Sequence, residues 1–282
     1  MSVHRVPDPA QVRALLVATL RRATRGSMTA GRRGKPRGLI FLLVTYGVMG
    51  FLLGLVPFVH ADVFTFSLVV WSATFMMAGM TLVAESSTLL FDPRDNDVIG
   101  HRPIHPRTLL MARSIALVAL ALLLGLALNL VPMFTGLVAQ GSRPWFPAIH
   151  LATLLLMTVF TAGAVVFVYS LLARLVSRRT FDTIASWTQV AISALLIASY
   201  QMVPRLMDRL QGFHLEAAHP LLLFLPPTWF AALAMVLMGV DTSTRAVIMS
   251  VVAVVATAGL AWSANRYLAE GYARQVAALA ET

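Results

Sequence analysis

The chain has 282 residues, of which 58% are hydrophobic and only 12% are charged, and its mean hydropathy is +0.78. Soluble globular domains carry about 25% charged residues, so this composition excludes that class. The absence of cysteine excludes disulfides and thiolate metal sites. The net charge of +10 does not indicate nucleic-acid binding, because nine of the 22 basic residues precede residue 38, on an arm beside the first apolar run.

Residues 1–37 are predicted to form a basic cytoplasmic arm that contacts membrane lipid. Within residues 9–22, several apolar side chains fall on one helical face and arginines point elsewhere. This pattern is typical of an amphipathic helix lying at the membrane interface. The apolar positions are Val12, Leu15, Leu16 and Leu20.

The rest of the chain is predicted to be an all-α polytopic membrane protein with about six spans in residues 38–265 and a cytoplasmic tail at 266–282. Crossing a bilayer requires roughly 20 consecutive apolar residues, because each helical residue rises about 1.5 Å through some 30 Å of hydrocarbon. The predicted spans are residues 38–59, 63–90, 108–138, 147–174, 183–204 and 244–265.

The distribution of basic residues predicts the orientation. If the N-terminus is inside, the inside loops and adjacent helix ends hold 18 Lys and Arg, and the outside holds four. Because cytoplasmic loops are enriched in Lys and Arg, both termini are expected to be cytoplasmic in a multi-pass protein of the cell membrane.

Residues 220–240 are apolar enough to span but contain Pro226 and Pro227 near their first third, followed by Trp229. Proline removes a backbone donor and breaks a helix, and broken backbone at membrane depth needs protein or water around it. We therefore predict a re-entrant hairpin dipping from the outer face, with a seventh span as the alternative.

The loop after the second predicted span, residues 91–107, has both a helix start and a helix stop. Asp92 suits an N-cap, Pro93 suits the first helical position and Gly100 suits the end. Asp95 and Asp97 fall in the early turns, where the helix dipole favours negative charge. A loop of this length with these signals indicates a water-exposed short helix built to contact a partner.

The run Leu-Leu-Phe-Asp-Pro-Arg-Asp-Asn-Asp-Val-Ile-Gly-His-Arg-Pro-Ile-His-Pro-Arg at 89–107 resembles the loop between the second and third spans of ABC type-2 transporter permeases. The Leu-Pro-Pro-Thr-Trp-Phe run at 225–230 is similar to a segment before the last span of the same bacterial exporter subunits. Together with the six-span order, the resemblance covers most of the chain.

The resemblance implies that the short helix is a coupling helix, which docks on a separate cytoplasmic ABC ATP-binding subunit. It also implies assembly with a second copy or a related permease half. The residues to which it assigns coupling are Asp92, Arg94, Asp95, Asp97, Val98, Ile99, Arg102 and Ile104.

The chain itself is expected to be no enzyme and to hold no cofactor. It has no Gly-rich phosphate loop followed by Lys-Ser/Thr, and Lys35 is its one lysine. ATP and Mg²⁺ would therefore be held by the partner subunit.

Other interpretations of the 92–105 loop and of the whole chain stay open. Asp92, Asp95 and Asp97 resemble a carboxylate metal site, although Arg94 lies between them and a calcium-loop glycine is missing. A zinc site at the two loop histidines is disfavoured by the proline between them. The chain as a whole could instead be a membrane-embedded enzyme acting on lipid-linked substrates, or an assembly protein without a transport path.

Polar residues inside spans are the remaining candidates. Glu85 is an acidic residue within the second predicted span, which makes it a candidate for gating or charge pairing. His150 and Asn129 are expected to form hydrogen bonds between helices.

Aromatic and small residues in the spans have two interpretations each. Tyr46, Trp71, Trp187 and Tyr200 either line a path or serve as packing and interface anchors. The Gly47, Gly50 and Gly54 series on the first span indicates close helix packing or a dimer contact.

Overall fold

The structure, a computed structural model, describes residues 37–59, 62–91, 106–175 and 223–280, together with positions 11, 13–15, 183, 187, 190–191 and 194. Its elements are helices joined by turns and two short 3-10 segments at Val56–Val59 and Gly136–Val138. The helices are α1 (Arg37–Leu53), α2 (Val63–Phe91), α3 (Pro106–Thr135), α4 (Phe146–Leu175), α5 (Pro226–Met238) and α6 (Thr244–Ala280).

Five helical segments among the described residues are long and apolar enough to cross a membrane. They agree with the first four and the last of the predicted spans. The predicted span at 183–204 lies mostly outside the described residues, and the positions described there are helical. The candidate spans are Leu39–Phe58, Val63–Ala84, Met111–Val138, Phe146–Val168 and Thr244–Ser263. The chain is thus a helical, multi-pass membrane protein.

Helix α2 packs against α3, α4 and α5. Helix α1 packs against α3, and α6 packs against α4 and α5. The main core is aromatic, with Phe160 of α4 packing edge-on against Phe230 of α5 at 5.4 Å between ring centroids. Large apolar side chains on the outer face of α1 are exposed, as expected for a helix that faces lipid.

The connectors before α2 and before α4 meet at one end of the bundle. Asp62 caps α2: its Oδ1 accepts hydrogen bonds from the backbone N–H of Phe64 and Thr65, both at 2.9 Å. The backbone N–H of Val63 donates to the Gln140 carbonyl at 2.9 Å. These bonds hold the starts of α2 and α4 beside each other.

The two prolines predicted to break the helix instead begin one, since Pro226 and Pro227 occupy the first positions of α5. This placement leaves few unpaired donors, because prolines lack N–H groups and the Thr228 N–H donates to the Leu225 carbonyl at 3.0 Å. The indole Nε1 of Trp229 donates to the Leu223 carbonyl at 2.7 Å and stabilises the preceding turn.

Helix α5 ends at Met238 and is capped by Gly239, whose φ of 69° is left-handed and therefore favours glycine. The helix has 13 residues, which at about 1.5 Å each give roughly 20 Å, too short to cross the hydrocarbon. A segment of this length suits the predicted re-entrant hairpin. The first residues of that hairpin, 220–222, lie outside the described residues.

Helices α1 and α3 make a close backbone contact where they cross. A Cβ placed on Gly50 would lie 2.0 Å from the Leu128 carbonyl oxygen, so only glycine fits. Pro132 is four residues later in α3 and has no N–H to donate to that carbonyl. The backbone of α1 thus covers a carbonyl that lost its usual helical partner. Of the two interpretations of the glycine series, close packing within the chain holds at Gly50.

We expect Gly50→Ala to destabilise the protein by about 2 kcal/mol, because the added methyl group must push α1 away from α3. Gly47→Ala is the matched control, since nothing lies within 4 Å of a Cβ at that position. The thermal midpoint of each variant in detergent, followed by size-exclusion chromatography, measures the difference. Equal thermal midpoints for the two variants would show that α1 does not pack closely on α3 at Gly50.

Candidate functional site: a polar chain between three spans

The coupling residues proposed by resemblance, Asp92 to Ile104, lie outside the described residues. The structure describes the two helices that this segment joins. Helix α2 ends at Phe91, and α3 begins at Pro106. These two helices pack side by side. The loop histidines and carboxylates considered as metal ligands also lie outside the described residues.

Glu85 and Arg113 are charged residues within the predicted spans toward this end of α2 and α3. Glu85 belongs to the helical backbone of α2, but its side chain is outside what the structure describes. Arg113 of α3 is buried, with 3% of its surface exposed. Arg113 is one of the 18 basic residues assigned to the cytoplasmic side, and hydropathy alone does not reveal its burial. A buried guanidinium within a span is costly and is normally paired or hydrogen bonded.

A hydrogen-bonded polar chain (Thr74, Asn129 and His150) links α2, α3 and α4. Asn129 Nδ2 donates to Thr74 Oγ1 at 3.0 Å, and the imidazole Nε2 of His150 lies 3.0 Å from Asn129 Oδ1. All three side chains are buried. The expectation that His150 and Asn129 form hydrogen bonds between helices is therefore confirmed.

The direction of every bond in this chain follows from chemistry. The Gly125 carbonyl can only accept, so the Asn129 atom 2.8 Å from it is the amide nitrogen, and the amide oxygen faces His150. That oxygen can only accept, so His150 donates from Nε2. Thr74, which receives the second amide hydrogen, passes its own hydroxyl hydrogen to the Val70 carbonyl at 2.8 Å.

Aromatic rings enclose the imidazole of His150. The Trp71 indole stacks on it, with 4.4 Å between ring centroids and 20° between planes, and the Phe146 ring lies 5.2 Å away. Because the rings exclude bulk solvent, the hydrogen bond to Asn129 is electrostatically stronger than it would be in water. Trp71, for which packing and path lining were both considered, is a packing residue in this structure, with none of its surface exposed.

A second polar contact connects α1 to α2. The Tyr46 hydroxyl donates to the Met77 carbonyl at 2.6 Å, so the Thr81 hydroxyl, also 2.6 Å away, donates to Tyr46. Tyr46 is 3% exposed and packs beside Met77 and Leu124. Trp187 has 70% of its surface exposed, and Tyr200 lies outside the described residues.

This site joins three spans through side-chain hydrogen bonds. The Asn129 amide bonds both the Thr74 hydroxyl and the His150 imidazole, and the imidazole nitrogen that donates is committed to Asn129. Within the part of the chain that the structure describes, no group of three or more His, Cys, Asp or Glu side chains could hold a metal ion. The described polar chain therefore fixes how three spans pack.

No family model, curated protein or solved structure matches the chain. The fold and the site define its class, a multi-pass helical membrane protein with a polar chain buried between spans.

We expect Asn129→Leu to lower the free energy of unfolding by about 1–2 kcal/mol, because it leaves the His150 N–H unpaired between aromatic rings. Thr257→Val is the control, since the Thr257 hydroxyl bonds only the Ala253 carbonyl of its own helix, at 2.6 Å. Denaturation in detergent measures both variants. A loss no larger for Asn129→Leu than for Thr257→Val would contradict the role given to the polar chain.

Proposed function

We propose that this chain is the transmembrane permease subunit of an ATP-driven exporter of the ABC type-2 class. The main support is the position of residues 92–104, which resemble a coupling helix. They join α2 and α3, two apolar helices that pack against each other. Five candidate spans and the short apolar helix before the last span add support. In this proposal the partner subunit holds ATP and Mg²⁺.

The mechanism requires a rigid path from the loop into the bundle. A partner ATPase that closes on ATP would push residues 92–104, with Asp95 and Asp97 pairing with basic groups and Ile99 and Ile104 filling an apolar groove. Because Thr74 and Asn129 bond α2 to α3, the two helices would move together. Helix α4 would follow through His150. Such rigid-body motion of packed helices is how alternating access is commonly achieved.

The proposed setting is the cell membrane, with both termini and the 91–107 loop in the cytoplasm. A second copy or a related permease half would complete the transport path. The exposed apolar faces of α1 and α6 are then covered by lipid or by that second half. Large apolar side chains on these faces include Phe41, Val44, Phe51, Val251 and Val255.

The orientation can be tested on single cysteines, because the natural chain has none. We expect Gln140→Cys and Thr242→Cys, both at exposed positions, to react with a membrane-impermeant maleimide added to intact cells. Ser177→Cys is expected to react only after lysis, because the arginines around it favour the cytoplasmic side. The reverse pattern would invert the topology and place the 91–107 loop on the wrong side for an ATPase.

The partner can be tested by affinity purification of the full chain. We expect the tagged protein to recover a Walker-type ATPase, and expect Asp95→Arg with Asp97→Arg to reduce that recovery and export by about tenfold or more. Arg143→Glu is the matched charge reversal, on an exposed residue of the 139–146 connector.

Two results would overturn the exporter proposal. One is that the unmodified chain recovers no ATPase. The other is that the double charge reversal changes neither recovery nor export. Magnesium-dependent lipid turnover that requires the same aspartates and no ATPase would instead support the enzyme alternative.

A further inference from the structure

The five tryptophans of this chain differ in how much of their surface is exposed. Trp71 is fully buried and Trp229 is partly buried, and both belong to the main core. Trp145, Trp187 and Trp262 instead expose 53%, 70% and 59% of their surface. Exposed tryptophans of membrane proteins are enriched where hydrocarbon meets headgroups, because the indole is apolar over most of its surface and polar at its N–H. The level of each exposed ring along the bundle is therefore informative.

Helices α4 and α6 run parallel and begin at the same level. Their first halves share one core, in which Phe146 and Leu154 of α4 cluster with Ala246 of α6. Further along, a Cβ placed on Gly163 would lie 3.2 Å from the Cβ of Leu260. Gly163 comes 17 residues after the first residue of α4, and Leu260 comes 16 residues after the first residue of α6. The two helix starts are therefore level with each other.

This register separates two of the exposed rings by about the thickness of a membrane. Trp145 directly precedes α4 and so lies level with the start of α6. Trp262 comes 18 residues after Thr244, the first residue of α6, which at about 1.5 Å per residue is roughly 27 Å. The hydrocarbon core of a bilayer is about 30 Å thick. The two rings are therefore placed at its opposite borders.

The surface between the two rings suits hydrocarbon, and the sequence beyond each ring suits headgroups and water. The large exposed side chains of α4 and α6 between these levels are aliphatic. Residues 146–173 and 246–265 contain no Asp, Glu, Lys or Arg. An arginine then follows on the far side of each ring, at Arg143 and at Arg266. Guanidinium groups bind phosphate well, so these positions match the headgroup level of each leaflet.

We propose that Trp145 and Trp262, the tryptophan pair, bind the headgroup border of opposite lipid leaflets and set the bilayer thickness that this protein fits. Each indole contacts acyl chains on one side and headgroups on the other. The spacing selects lipid as the occupant, because the border of a second protein chain has no reason to match the hydrocarbon thickness. This inference is independent of the exporter proposal. It places residues 266–280 of α6 outside the hydrocarbon.

Bilayer thickness tests the tryptophan pair on the full chain. Dimyristoyl, dioleoyl and dierucoyl phosphatidylcholine form successively thicker bilayers. We expect the thermal midpoint to be highest in the dioleoyl lipid and about 3 °C or more lower in the other two. Trp262→Leu is expected to reduce this difference by about half or more, because one border is no longer fixed.

Val255→Leu is the matched control, since Val255 is exposed two turns before Trp262 on the same side of α6 and lies between the borders. This variant is expected to keep the full preference for the dioleoyl lipid. Absence of a maximum in that lipid for the natural chain would overturn the proposal. An equal response of Trp262→Leu and Val255→Leu would also overturn it.

Spin labels locate both borders without replacing either ring. The natural chain has no cysteine, so Leu151→Cys, Ala258→Cys, Arg143→Cys and Arg266→Cys can each carry one label. Oxygen concentrates in hydrocarbon, and a water-soluble nickel chelate stays outside it. We expect the labels at 151 and 258 to collide mainly with oxygen and those at 143 and 266 mainly with nickel. The reverse at any of these positions would overturn the proposal. Low collision with both reagents at 258 would indicate a covering protein chain and would overturn it too.

Discussion

Pairing of polar groups away from bulk water is the main constraint on this structure. An unpaired backbone or side-chain group costs several kcal/mol in hydrocarbon, so each helix start, helix end and polar side chain needs a partner. Helix α5 meets the constraint by beginning with Pro226 and Pro227, which have no N–H to leave unpaired. The Thr74, Asn129 and His150 chain meets it by placing each donor opposite an acceptor.

Hydropathy predicted the described spans well because lipid selects for long apolar runs regardless of how the helices pack. The same signal does not report where a helix ends. Helix α6 continues to Ala280, well past the predicted boundary at residue 265, because a helix can leave the membrane without losing its backbone hydrogen bonds. Pro226 and Pro227 are predicted to break a helix, but they begin one, since proline is excluded from helix interiors and favoured in the first turn.

The candidate site was predicted only in part. The identities of Asn129 and His150 indicated hydrogen bonds between helices, but not that Thr74 and Trp71 would complete the arrangement. Which residues face each other depends on how each helix is rotated, and a helix that is apolar all round carries little information about its rotation. For the same reason the glycine series could not show that Gly50 makes the close contact while Gly47 stays open. The residues on which the exporter proposal depends, 92–104, lie outside the described residues.

The contact between Gly50 and the Leu128 carbonyl has a consequence for biogenesis. Helix α3 is synthesised two spans after α1, so α1 must leave the insertion machinery and wait in the bilayer without its main partner. Helix α1 is stable in the bilayer before it packs, because lipid solvates exposed side chains such as Phe41 and Phe51 as well as protein does. Docking of α1 is then a late assembly step. The carbonyl that Pro132 leaves without a helical donor stays uncovered until that step is complete.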